Sequence, residues 1–180
     1  MPFKELTRFK ALQQTSRSAI FSKDRVHRFK LLIEWNRHGS TINFLMLNPS
    51  TADELKNDPT VERCERRARA WGYGRLIITN LYSFRATDPS VMLAAVGSDS
   101  RNAINDRHII GAARASDLIV CGWGAHGTHL GRAESVVNTL AHYALISKLH
   151  SLKQTTGQPW HPLYLSYALV PKPLDLNLIL

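Results

Sequence analysis

Three short segments put amide and imidazole side chains beside prolines or at the ends of apolar runs. They are Leu47-Asn48-Pro49-Ser50, Ile78-Thr79-Asn80-Leu81 and His161-Pro162-Leu163-Tyr164-Leu165-Ser166. An amide offers two donors and an acceptor but no useful basicity, so Asn48 can orient a water and Asn80 can read a ligand's edge. An imidazole can donate near neutral pH, as His161 would. Each also has an ordinary structural use: Asn48 bonding its own turn, Asn80 satisfying a strand end, His161 fixing the chain before Pro162. A fourth segment, Gly122-Trp123-Gly124-Ala125-His126-Gly127, has glycines that let backbone approach a ligand or another loop closely. His126 and His129 lack a carboxylate or thiolate partner, and Cys64 and Cys121 form no C-x-x-C pair. Neither a metal nor a nucleotide cofactor is expected.

Positioning such residues requires a frame. Apolar runs at 43–48, 75–80, 117–122 and, more weakly, 147–152 alternate with helical patterns. That is the βαβ rhythm of a parallel sheet covered by helices. A further strand at 29–35 leads into the first run and is expected to pair antiparallel with it at a sheet edge. Asp58-Pro59 starts a helix that carries Val61, Cys64, Ala68 and Trp71 on one side and ends at Gly72, with Arg63, Arg66, Arg67 and Arg69 on its other side. A second helix spans 102–115 with a stripe of Ile104, His108, Gly111 and Ala115, and a third spans 132–146. In such sheets ligands sit beyond the carboxyl ends of the strands, where the segments above lie.

The chain has 180 residues and a formal net charge of +9. That length suits one domain, 1–180, able to bury a core without disulfides. Within residues 1–40, Lys4, Arg8, Lys10, Arg17, Lys23, Arg25, Arg28, Lys30 and Arg37 face only Glu5, Asp24 and Glu34. This gives a basic N-terminal segment, 1–25, suited to a polyanion or simply to solvent. The N-terminus lacks an apolar leader, and no stretch approaches the roughly 20 apolar residues of a membrane span. A cytoplasmic monomer without membrane contact is expected.

The three polar segments, in this order, resemble the signature segments of the uracil-DNA glycosylase superfamily. Leu47-Asn48-Pro49-Ser50 is similar to the Asn-Pro form of the first motif, found in its mismatch-specific and single-strand-selective branches. Ile78-Thr79-Asn80-Leu81 resembles the strand that ends in a base-reading Asn, and His161-Pro162 resembles the His-Pro loop. From about residue 18 to 171 the chain also resembles the bacterial and phage family DUF1643. That likeness rests on Leu47-Asn48-Pro49-Ser50-Thr51-Ala52-Asp53, Asp58-Pro59-Thr60, Trp71-Gly72-Tyr73-Gly74, Asn80-Leu81, Arg85-Ala86-Thr87-Asp88-Pro89, Gly122–Gly127 and His161–Leu165.

The first resemblance implies a three-layer α/β/α fold around a mostly parallel four-stranded sheet, and a DNA N-glycosylase that leaves an abasic site. Asn48 would hold the attacking water and His161 would donate to the departing base. Asn80 would read the flipped base, with Ser50, Tyr82 and Phe84 around it, although aromatics flanking a strand commonly serve the core. Leu163 and Tyr164 would fill the vacated stack, and Ser166, Arg85 and Lys172 would hold DNA phosphates. The uracil-specific branch has a Tyr where this chain has Ser50, so a pyrimidine with a 5-substituent is expected. Glucosylated 5-hydroxymethylcytosine in double-stranded phage DNA would make the reaction an antiviral defence. Repair of uracil or another deaminated base, non-catalytic DNA binding, and hydrolysis of a free nucleoside or nucleotide stand as alternatives.

Overall fold

The apolar runs become strands because neighbours cover both of their faces. The computed structural model describes residues 15–96, 102–155 and 157–180. Lys4, Glu5, Arg8 and Lys10 of the basic segment lie outside these. The strands are β1 (Ser16–Phe21), β2 (Arg28–Glu34), β3 (Thr41–Met46), β4 (Arg75–Asn80), β5 (Leu118–Cys121), β6 (Leu149–Ser151) and β7 (Lys172–Pro173). They form one seven-stranded sheet in the order β1-β2-β4-β3-β5-β6-β7. The four expected runs are its parallel centre, β4-β3-β5-β6, flanked by antiparallel pairs. The sheet is thus larger than the four strands anticipated.

The pairing of β2 differs from expectation. It lies against β4, with Leu31 opposite Ile78 and Ile33 opposite Leu76, because β4 and β5 occupy both sides of β3. Nor is β2 an edge, since β1 pairs outside it.

Register sets the future site. Met46 pairs with Asn80 and Leu45 with Cys121, so β3, β4 and β5 end nearly level. The chain leaves β3 toward β4 on one side, whereas it leaves β5 toward β6 on the other. Connections that diverge in this way open a crevice between β3 and β5 at their carboxyl ends.

Helix α1 (Pro59–Ala70) begins as its sequence dictates: the Asp58 carboxylate accepts from the Val61 N–H at 2.8 Å and Pro59 takes the first turn. Val61, Cys64 and Ala68 pack with Ile42, Phe44, Met46 and Ile78 on one face of the sheet. Trp71 stacks on Phe44, and Gly72, at φ +81°, ends the helix. The other face carries α2 (Pro89–Val96), α3 (Asn102–Ala115) and α4 (Arg132–His142), whose Met92, Ile109, Val136 and Leu140 meet Leu45, Ile119 and Cys121. The left-handed backbone at Ala144, φ +57°, stops α4 short of residue 146.

The buried face of α3 is Asn105, Ile109, Ala112 and Ala113, not the expected stripe; Ile104 is 47% exposed. A polar residue within that face hid its phase. Asn105 is buried because its Nδ2 donates to the Asn80 and Leu81 carbonyls at 2.8 and 3.0 Å, bracing the end of β4. Among the described residues no helix is long and apolar enough to cross a membrane.

Candidate active site

The loops after β3, β4 and β5 and the segment around His161 enclose a cavity of about 670 Å³. Asn48, Ser50, Asn80, His161, Leu163 and Tyr164 all line it. Asn48 and Tyr164, 116 positions apart in the chain, thus meet at the crevice that the strand order creates.

Asn48 is held by its amide nitrogen, which donates to the carbonyls of Ala86 at 2.8 Å and Pro49 at 3.2 Å. Two carbonyl acceptors fix which end of the amide is NH2, so Oδ1 is left as an acceptor at the cavity wall. Asn80 is buried at the end of β4; its Oδ1 stands 3.5 Å from the Arg28 Nη2, which leaves Nδ2 as the donor.

His161 caps the short 3-10 turn Pro162–Tyr164, with Nδ1 accepting from the Leu163 N–H at 3.3 Å. A neutral imidazole that accepts at Nδ1 must carry its proton on Nε2. Burial lowers its pKa below the ordinary value, and the negative Asp58 opposes this in part. Protonation is therefore harder in the folded state than in the unfolded one. The corresponding stability is present above the unfolded pKa, about 6.5, and is lost as pH falls from there through the lower folded value. Denaturant titrations between pH 7.5 and pH 5 should show a steeper loss for the wild type than for His161→Gln. Parallel losses would mean that His161 titrates as it does in the unfolded chain.

The glycine segment positions His161. Gly122, Gly124 and Gly127 have the spacing G-x-G-x-x-G after a strand, a spacing shared with phosphate-binding turns. The structure uses these glycines for packing against protein. A Cβ at Gly122 would stand 2.9 Å from Pro162 Cδ, and the Gly124 N–H donates to Pro159 at 2.9 Å. At Gly127 a Cβ would overlap the Trp123 indole, 2.1 Å from Cδ1. The next α-helix begins only at Arg132, beyond a kink at His129 and Leu130. His126 lines the cavity, while the His129 carbonyl accepts from Tyr82 at 2.6 Å. Among the described residues no group of three or more His, Cys, Asp or Glu side chains gathers as metal ligands would. Burial drives the thiols of Cys64 and Cys121 far above the usual range, so neither is a ready nucleophile.

Five expected site residues do not line the cavity. Tyr82 is buried in the core below α4, and Phe84 meets His27 edge to face at 5.7 Å. Both follow β4 as it turns away from the crevice. Arg85 braces the rim from behind, donating to the carbonyls of Ser50 at 3.3 Å and Arg25 at 3.2 Å. The Ser166 hydroxyl accepts from the Ala168 N–H, and Lys172 is exposed on the edge strand β7. The carbonyls of Leu165 and Ser166 are gripped instead by α1: Arg63 and Arg67 donate to Leu165 at 2.6 and 2.7 Å, and Arg67 to Ser166 at 3.1 Å. Both guanidinium groups stack on Tyr167, at 4.4 and 4.5 Å.

The lining residues that were not expected include Arg28, Asp58 and Trp123. Asp58 was legible only as a helix cap, and Trp123 only as part of the glycine segment. Its ring is buried, with Nε1 donating to Gln158 at 2.6 Å. The described part of the basic segment approaches the rim, where Arg25 pairs with Glu54 at 3.1 Å.

A model of the family described as "Protein of unknown function (DUF1643)" matches residues 28–163. No curated protein and no solved structure matches the chain.

Proposed function

The chain belongs to the DUF1643 family, and from the side chains gathered in its cleft we propose that it is a DNA N-glycosylase acting on a flipped, 5-substituted pyrimidine. The observation that carries this reading is the meeting of Asn48, Asn80 and His161 in one cavity with complementary hydrogen-bonding ends. Cleaving an N-glycosidic bond places positive charge on the sugar and negative charge on the base. Asn48 Oδ1 orients the water, Asn80 Nδ2 holds a base acceptor, and the His161 Nε2–H stabilises the departing base. Tyr164, 86% exposed beside the cavity, suits the wedge that enters the vacated stack. Helices on both faces of the parallel β4-β3-β5-β6 centre support the three-layer, uracil-DNA glycosylase-like reading of the fold. Modified phage DNA is the proposed target, and defence the proposed purpose.

The test is incubation with duplexes carrying cytosine, uracil, 5-methylcytosine, 5-hydroxymethylcytosine or its glucosylated form, followed by alkali to reveal abasic sites. Cleavage of the bulky substrates is expected. Ser50→Tyr should reduce it at least tenfold more than any cleavage of uracil, because a ring near carbon 5 cannot be accommodated cheaply. Equal losses would remove the argument for a 5-substituent. A second reading, hydrolysis of a free nucleoside or nucleotide, is favoured by the engagement of Arg25 and Arg85 at the rim with Glu54 and backbone carbonyls. Base release from nucleosides but not from duplexes would establish it.

A further inference from the structure

Arg28 opens β2 and is only 2% exposed, yet it lines the cavity. Its Nη1 donates to the Ala52 carbonyl at 2.7 Å, Nη2 reaches Asn80 Oδ1 only at 3.5 Å, and Nε has no partner. None of these contacts is a carboxylate. Burial pulls its pKa down to about 10, with Asp58 opposing from a distance, so the guanidinium remains charged at neutral pH. A buried cation lacking a paired anion is costly to maintain, and such groups cluster where a ligand completes them.

Its place beside Asn80 says which ligand. Asn80 turns its acceptor toward Arg28 and keeps Nδ2 as a donor, so these two side chains together present donors to the cavity, which Asp58 also lines. A planar guanidinium and an amide NH2 side by side match a ligand edge built of oxygen acceptors. Resting on the glycosylase reading above, we propose that Arg28 is a specificity-determining residue. With Asn80 it selects pyrimidines that carry oxygen on the 5-substituent, an anionic carboxyl group most strongly.

Binding separates this proposal from catalysis. Free 5-carboxycytosine and 5-methylcytosine would be titrated into the full chain by calorimetry, with the Arg28 Nε–Hε resonance followed by 15N NMR. The carboxylated base should bind at least tenfold tighter and shift that resonance; the methylated base should leave it in place. Arg28→Gln should abolish the preference, and Arg28→Lys should retain part of it as a point charge. If Arg28→Gln does not fold, the wild-type comparison decides by itself. Equal affinities, or a resonance unmoved by the carboxylate, overturn the proposal. A glycosylase reading that failed would show differently: the preference for free base would stand while every duplex stayed intact.

Discussion

His161→Ala is expected to lower kcat on a cleavable duplex by about 10²- to 10³-fold, the usual effect of removing one preorganised donor to a developing anion. DNA affinity should change little, because the Nε2–H gains strength only as the base acquires charge. The ring also caps the Pro162–Tyr164 turn through Nδ1, so a loss of rate could arise from a loosened loop. His161→Ser resolves this, since a serine hydroxyl can accept the Leu163 N–H but cannot reach the base. Both variants should lose the same rate in single-turnover assays. Recovery in His161→Ser would assign the imidazole to structure alone.

Gly127→Ala is expected to destabilise the fold by about 3 kcal/mol, the upper end of ordinary overpacking. The new methyl group would stand 2.1 Å from Trp123 Cδ1 and 2.6 Å from Nε1. Neither side can retreat easily, since Trp123 is 1% exposed and bonded to Gln158. Urea unfolding measures the loss, and Gly111→Ala is the control. Gly111 sits on the exposed side of α3 with nothing within 4 Å of a new Cβ, and helix propensity favours alanine there by up to about 1 kcal/mol. A loss below about 1 kcal/mol at Gly127 would show that the indole yields, and that the glycine segment is not pinned to it.

How far the sequence could be read depended on whether a residue's environment lay nearby in the chain. The parallel strands were legible because β5 and most of β3 are apolar runs buried on both faces, and α1 because Asp58 and Pro59 mark its start locally. The convergence of Asn48, Asn80 and His161 was legible from strand-end placement. Arg28 was not. It is buried by the carbonyl of Ala52 and by the pairing of β2 with β4, both contacts remote in sequence, so its charge counted among the surface cations. Tyr82 and Phe84 were misplaced for a related reason. Backbone bonding continues past Asn80, with Leu81 and Tyr82 donating to Met46 and Leu47, and carries Tyr82 into the core.

The grip of Arg63 and Arg67 on the segment after His161 falls on the carbonyl oxygens of Leu165 and Ser166, atoms that every amino acid possesses. Side chains at Leu163 and Tyr164 can therefore be exchanged without loosening that anchorage. A lineage could retool the tip of this loop for new targets while inheriting its attachment intact, so innovation here need not begin by surrendering stability.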